Sequence, residues 1–310
     1  MKNTSENKKI TWSESLLSTP TPARASGAAF SLAAILPSVL AVVLLIIFAI
    51  LGLTDYQGQN WYIYVSYLLS PLAFAIVLAW YLRYTKTPLT IACQSQKCQP
   101  KYFILANLLQ IGLLSLSELN GYFLKFLARF GYEDSGVLLP SMDGIGFIGV
   151  MITVAVLPSL FEEIIFRGVL LDGLKPFGKW GAAFICGALF AIYHQNPAQT
   201  IYQFCCGVAF ALVALRAGSI LPTVLSHFLN NAFILILTKC GVNEFVSPAK
   251  WIIFAVSATC LVLSFVWILR DNNKLQVKAE KQEKKRFFIC ASVGIVVVTL
   301  TWILTLITGF

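Results

Sequence analysis

Nine runs of mostly apolar residues, separated by short polar breaks, decide what this chain can become. A helix needs about 20 apolar residues to cross the roughly 30 Å of hydrocarbon in a bilayer. The runs at 30–53, 61–81, 102–124, 145–171, 182–194, 202–215, 221–237, 251–269 and 287–307 repeat that pattern, the fifth and sixth being short. Backbone groups in lipid must be paired within the spanning structure, and these runs lack the period-2 alternation of barrel strands. The expectation is an all-α polytopic transmembrane helical bundle of about eight or nine spans.

With 58% hydrophobic and 12% charged residues, the composition excludes an ordinary soluble domain. The layout read from it is a polar cytoplasmic tail at 1–27, N-terminal transmembrane helices at 28–143, a segment at 144–240 that holds both histidines, and C-terminal helices at 250–310. The tail carries Lys2, Lys8, Lys9 and Arg24 beside Glu6 and Glu14, too polar for a signal peptide, so the first run is read as a retained helix.

Lys and Arg concentrate in cytoplasmic loops, which orients the chain. With the N-terminus inside, the inner side receives Arg83, Lys86, Lys97 and Lys101, then Lys175 and Lys179, then Arg216, and finally the basic loop 270–286. That loop holds Arg270, Lys274, Lys278, Lys281, Lys284, Lys285 and Arg286, the densest run of basic residues in a chain of net charge +9. Its expected partner is anionic membrane lipid and not nucleic acid. The expected location is a membrane, of bacterial plasma-membrane type. Cys186, Cys205, Cys206, Cys260 and Cys290 fall in apolar runs as small hydrophobes, while Cys93 and Cys98 share a cytoplasmic loop, so no structural disulfide is expected.

Ionisable side chains at membrane depth are costly and mark a cavity, a partner helix or a pathway. The densest cluster is Glu162, Glu163 and Arg167, expected at the cytoplasmic end of the fourth helix. Glu163 and Arg167 stand four apart, in the order that suits a helical ion pair. Glu162 is turned about 100° from its neighbour and faces a different space. Pro158, four residues earlier, removes a helical hydrogen bond and is expected to kink the helix there.

The two histidines of the chain, His194 and His227, both lie in the apolar C-terminal half. His227 shares a helical face with Asn231, and Phe190 precedes His194 by one turn and can wall its ring. A carboxylate, two imidazoles and a carboxamide are what peptide hydrolysis needs: a base for water, and donors for the oxyanion. Serine chemistry is less persuasive, since no GxSxG elbow occurs and Ser226 points about 100° away from His227.

At these residues the sequence resembles the CPBP family, the CAAX-protease and bacteriocin-processing (Abi) intramembrane proteases. The motifs are Glu162-Glu163-xxx-Arg167, Phe190-xxx-His194 and His227-xxx-Asn231, with Gly168 after the arginine and Gly218-Ser219 before the His227 helix. The resemblance covers roughly 149–237. It implies an endopeptidase acting on a membrane-embedded or lipidated peptide, for example in peptide maturation or bacteriocin immunity. Glu162 and His194 would activate water, His227 and Asn231 would stabilise the oxyanion, and Glu163 and Arg167 would organise the site.

The family is often described as metalloproteases, and Glu162, His194 and His227 form a chemically valid zinc set. The spacing offers no HExxH, so metal-free, glutamate-activated water is favoured. The competing readings are a proton-coupled transporter, which would use the same residues as a relay, and a non-proteolytic scaffold or immunity protein. Counting from residue 182 puts His194 about 18 Å along its helix, seemingly far from an inward-side Glu162.

Overall fold

The computed structural model describes residues 21–133, 136, 138–242, 247–271 and 281–309, and every regular element among them is helical. The polar residues 1–20 and most of the basic loop, 272–280, lie outside the described residues. The chain forms α1 (Pro22–Leu51), α2 (Asn60–Thr85), the short α3 (Leu89–Ala92), and α4 (Lys101–Leu113), which continues through a 3-10 turn into α5 (Ser117–Ala128).

A run from Gly146 to Tyr193 then holds α6 (Gly146–Val150), α7 (Leu157–Glu162), α8 (Leu171–Leu174) and α9 (Gly178–Tyr193). Two π-helical stretches, Met151–Val156 and Glu163–Leu170, interrupt it. The order closes with α10 (Thr200–Ala217), α11 (Leu221–Lys239), α12 (Ala249–Arg270) and α13 (Lys281–Thr308).

Eight helical runs among the described residues are long and apolar enough to cross a membrane. Their outer faces show Ile50, Ile252, Val262 and Leu304 to the surroundings, each more than half exposed, so the solvent these faces suit is lipid. The protein is an all-α, polytopic integral membrane protein.

The run Gly146–Tyr193 has 48 residues. Straight, it would extend about 72 Å, more than twice the hydrocarbon thickness. It doubles back instead at Lys175–Phe177, where Pro176 has no N–H to continue the helix and Gly178 takes φ 76°. The arms pack antiparallel: the Phe166 and Phe190 rings meet edge to face at 5.0 Å, and Cys186 Sγ donates to the Phe166 carbonyl at 3.4 Å.

This hairpin removes the distance problem of the sequence reading. Glu162 does not end its helix; the chain stays helical for twelve more residues, to Leu174. With Phe166 opposite Phe190 across the hairpin, four residues back to Glu162 and four on to His194 return the two to a similar depth.

Small residues let the helices approach. A methyl group on Gly207 of α10 would lie 2.6 Å from Gly187 Cα of α9, and one on Gly187 would lie 2.5 Å from Val208 Cγ2. At the other end of the order, α13 lies against α1: Ser31 Oγ donates to Cys290 O at 2.7 Å, and a methyl on Gly294 would lie 2.6 Å from Ser31 Cα.

Helix α1 starts earlier than the apolar run alone suggests. Thr21 caps it, accepting from Arg24 N at 3.3 Å, and Pro22 occupies the first turn. Arg24, assigned from sequence to the polar tail, is therefore helical and buried, with its guanidinium 5.5 Å from the centre of the Tyr84 ring. The eight cysteines are free thiols.

Candidate active site

Glu163 and Arg167 form the buried base of the site. Both side chains are 0% exposed, and Arg167 Nη1 donates to Glu163 Oε1 at 2.8 Å. A charged pair without water is stable only with good geometry and further partners. Arg167 gains them from aromatic faces: its guanidinium carbon sits 4.2 Å from the centre of the Phe190 ring and 5.5 Å from that of Phe210. Gly168, next in sequence, has no room for a side chain, since a methyl there would come 2.8 Å from the carbonyl of Ala92.

The same Glu163 oxygen takes a second hydrogen bond, from His227 Nδ1 at 3.1 Å. A carboxylate on Nδ1 fixes the tautomer and ring plane, so Nε2 is the atom His227 presents to the site. Facing it, 3.9 Å away, is Glu162 Oε2. That oxygen is buried and makes no hydrogen bond. A gap of this width can be bridged by one water oxygen.

His194 closes the group from α9. Its Nδ1 donates to the Phe190 carbonyl at 2.8 Å, which leaves Nε2 as the free ring nitrogen, and the ring packs edge-on against Phe190 at 4.6 Å. It lies within electrostatic reach of Glu162, His227 and Arg167. Phe190 thus touches Arg167 and both imidazoles, its ring 6.4 Å from that of His227.

Asn231 lies one turn after His227 on α11. Its Nδ2 donates to Val154 O at 3.3 Å. That carbonyl is one turn before Pro158, whose ring nitrogen has no hydrogen to offer it. The proline expected to bend the helix is accompanied by a π-helical stretch just upstream, Met151–Val156, and by a carbonyl turned to the Asn231 side chain. Extra residues of this kind in a helix recur at functional sites.

A cavity of about 860 Å³ opens beside His227 and Asn231. Its walls include Phe190 and Phe210, then carboxamides such as Gln110 and Asn230, and an apolar side with Phe233, Ile234 and Leu237. Glu162 keeps 15% of its side chain exposed and His227 12%, against none for Glu163 and Arg167, and of these four His227 lines the cavity.

The structure therefore gathers Glu162, Glu163, Arg167, His194, His227 and Asn231 into one neighbourhood. Ser226, beside His227 in sequence, points elsewhere: it is fully buried and donates to Ala106 O at 3.0 Å. Phe210 and Gln110 were missed from sequence; the signal for Gln110 was a carboxamide inside an apolar run. Among the described residues no three His, Cys, Asp or Glu side chains converge with metal-ligand geometry. Glu162, His194 and His227, the set that the sequence offers for zinc, form no such group as placed.

Residues 144–233 match the family model described as Type II CAAX prenyl endopeptidase Rce1-like, which belongs to the CPBP family. The match takes in every residue of the cluster and leaves α1–α5, α12 and α13 outside. No curated protein and no solved structure matches the chain.

Proposed function

We propose that this membrane protein, whose segment 144–233 is CPBP-like, is an intramembrane endopeptidase that hydrolyses a peptide bond of a membrane-embedded or lipidated peptide. The observation that carries the reading is Glu162 Oε2, a buried carboxylate oxygen without a hydrogen bond, facing the Nε2 of an imidazole that another carboxylate holds in place.

Water between Glu162 and the substrate carbonyl gives a proton to the carboxylate as its oxygen attacks the carbonyl carbon. His194, with Nε2 free, assists at the same atom. The C=O electron pair moves onto oxygen, and the tetrahedral oxyanion is met by His227 and Asn231. His227 must then carry a proton on Nε2 as well as on Nδ1, an imidazolium that the carboxylate of Glu163 stabilises. Asn231 has two N–H groups; one is held by Val154 O, and the other is left for the oxyanion. The C–N bond breaks as the protonated Glu162 returns its proton to the leaving amine.

The apolar wall of the cavity suits a lipid chain or an apolar peptide segment. The cytoplasmic N-terminus, the bacterial plasma membrane, and the contact of 270–286 with anionic lipid belong to the same proposal. So does metal-free water activation.

The test compares new protein and peptide termini in membranes of cells carrying the wild-type chain or Glu162→Gln at matched levels. Termini that vanish with the variant identify a protease and its substrate. Identical profiles in a setting where the protein is needed overturn the reading in favour of a transporter or scaffold.

A further inference from the structure

Three carboxamides stand in series inside the membrane region. Gln110 Nε2 of α4 donates to Asn230 Oδ1 at 2.6 Å and to the Tyr202 hydroxyl of α10 at 3.0 Å. Asn230 Nδ2 donates to Asn231 Oδ1 at 3.2 Å, and Asn231 Nδ2 donates to Val154 O. Gln110 is 7% exposed. A buried carboxamide at this depth is costly unless it is hydrogen-bonded, and the series satisfies each member through the next.

The direction of the series matters more than its stability. Asn231 has a donor end and an acceptor end of nearly equal size. With its carbonyl oxygen turned to Asn230, the N–H end faces Val154 and the cavity. In the flipped orientation the side chain would show an oxygen to a substrate oxygen that is gaining negative charge, which opposes the reaction where it should assist it. Asn230 enforces the useful orientation only if its own oxygen is occupied, and Gln110 occupies it. Gln110 in turn is held by Tyr202.

The register between helices fits this reading. One turn earlier on both helices, Ser226 of α11 donates to Ala106 of α4, so α4 and α11 are locked at two successive levels.

We infer that Gln110 and Asn230 are positioning residues that fix the amide orientation of Asn231, making it an oxyanion donor. This rests on the protease reading for its catalytic consequence and on geometry alone for the relay.

The test uses the full chain in detergent with a fluorogenic farnesylated peptide as probe, and the variants Gln110→Met and the near-isosteric Asn230→Asp, which keeps the acceptor for Gln110 and loses the donor to Asn231. Each is expected to lower kcat about 10- to 100-fold, the size of a small misplacement at a reacting centre, with KM within about twofold. In an Asn231→Ala background the same changes are expected to lower kcat no further.

A raised KM with kcat held, or full additive losses in the Asn231→Ala background, overturns the relay. The same double-mutant cycle is read as thermal unfolding, which needs no activity. Coupling between Gln110→Met and Asn231→Ala, which do not touch, is expected; its absence also overturns the relay. A wild-type chain that shows coupling yet cleaves nothing counts against the protease reading and not against the relay.

Discussion

Glu163 Oε1 accepts from Arg167 at 2.8 Å and from His227 at 3.1 Å, so one buried oxygen ties the charge balance of the core to the orientation of an imidazole. Stability and reactivity can be separated at this atom. Arg167→Met leaves Glu163 buried and charged, and is expected to destabilise by about 3–5 kcal/mol. Adding Glu163→Gln removes the orphaned charge and is expected to restore much of the melting temperature while cleavage stays lost, because His227 no longer has a carboxylate on Nδ1. Thermal unfolding and peptide cleavage on both variants check this.

Glu162 predicts the opposite balance. Its Oε2 makes no hydrogen bond, so Glu162→Gln is expected to leave the unfolding temperature unchanged or slightly raised. Turnover is expected to fall about 10²- to 10⁴-fold, the range for loss of a general base. A variant that loses stability in proportion to activity would mark Glu162 as a structural residue.

Ser226→Ala discriminates against a serine mechanism. The hydroxyl is buried and spent on Ala106 O, so the change is expected to cost about 1 kcal/mol of stability and to preserve cleavage. Loss of turnover with an intact fold would contradict the site as described.

Gly187→Leu tests the helix contact that places Phe190 and His194. With Val208 Cγ2 2.5 Å from where a first carbon would stand, α9 and α10 must part, and a loss of about 1–3 kcal/mol or more is expected. Cleavage is expected to fall further than stability, since His194 lies seven residues on along the displaced helix.

Thiol labelling reads the fold without a substrate. Cys240 is exposed, while Cys93 is buried and its thiol is pushed up by that burial. At mildly alkaline pH, a soluble alkylating reagent is expected to modify Cys240 well before Cys93. Equal rates would contradict the packing of the loop around α3.

The sequence displayed much of this because helices turn spacing into geometry. Residues four apart must share a face, so the Glu163 and Arg167 ion pair and the shared face of His227 and Asn231 were both legible. So was the divergence of Glu162 from its neighbour. Depth was not. A run of apolar residues shows no landmark for where a helix stops, and the turn that sets the hairpin, Lys175-Pro176-Phe177-Gly178, lay four residues beyond the end read from hydropathy. The π-helical stretches were also hidden, since they are main-chain registers that no side-chain pattern announces. The start of α1 could have been read: Thr21 followed by Pro22 is a helix-opening pair, outvoted by the polar residues around it.

The packing of α13 on α1 bears on how the protein is made. Ser31 and Gly27 on α1 meet the backbone of α13 around Phe287, Cys290 and Gly294, partners that the ribosome supplies more than 250 residues later. Until then that small-residue strip has lost its neighbour and stands open within the bilayer. A chain cut short before α13 would leave that strip uncovered in the bilayer, so α1 waits for its cover until every other described helix has been made.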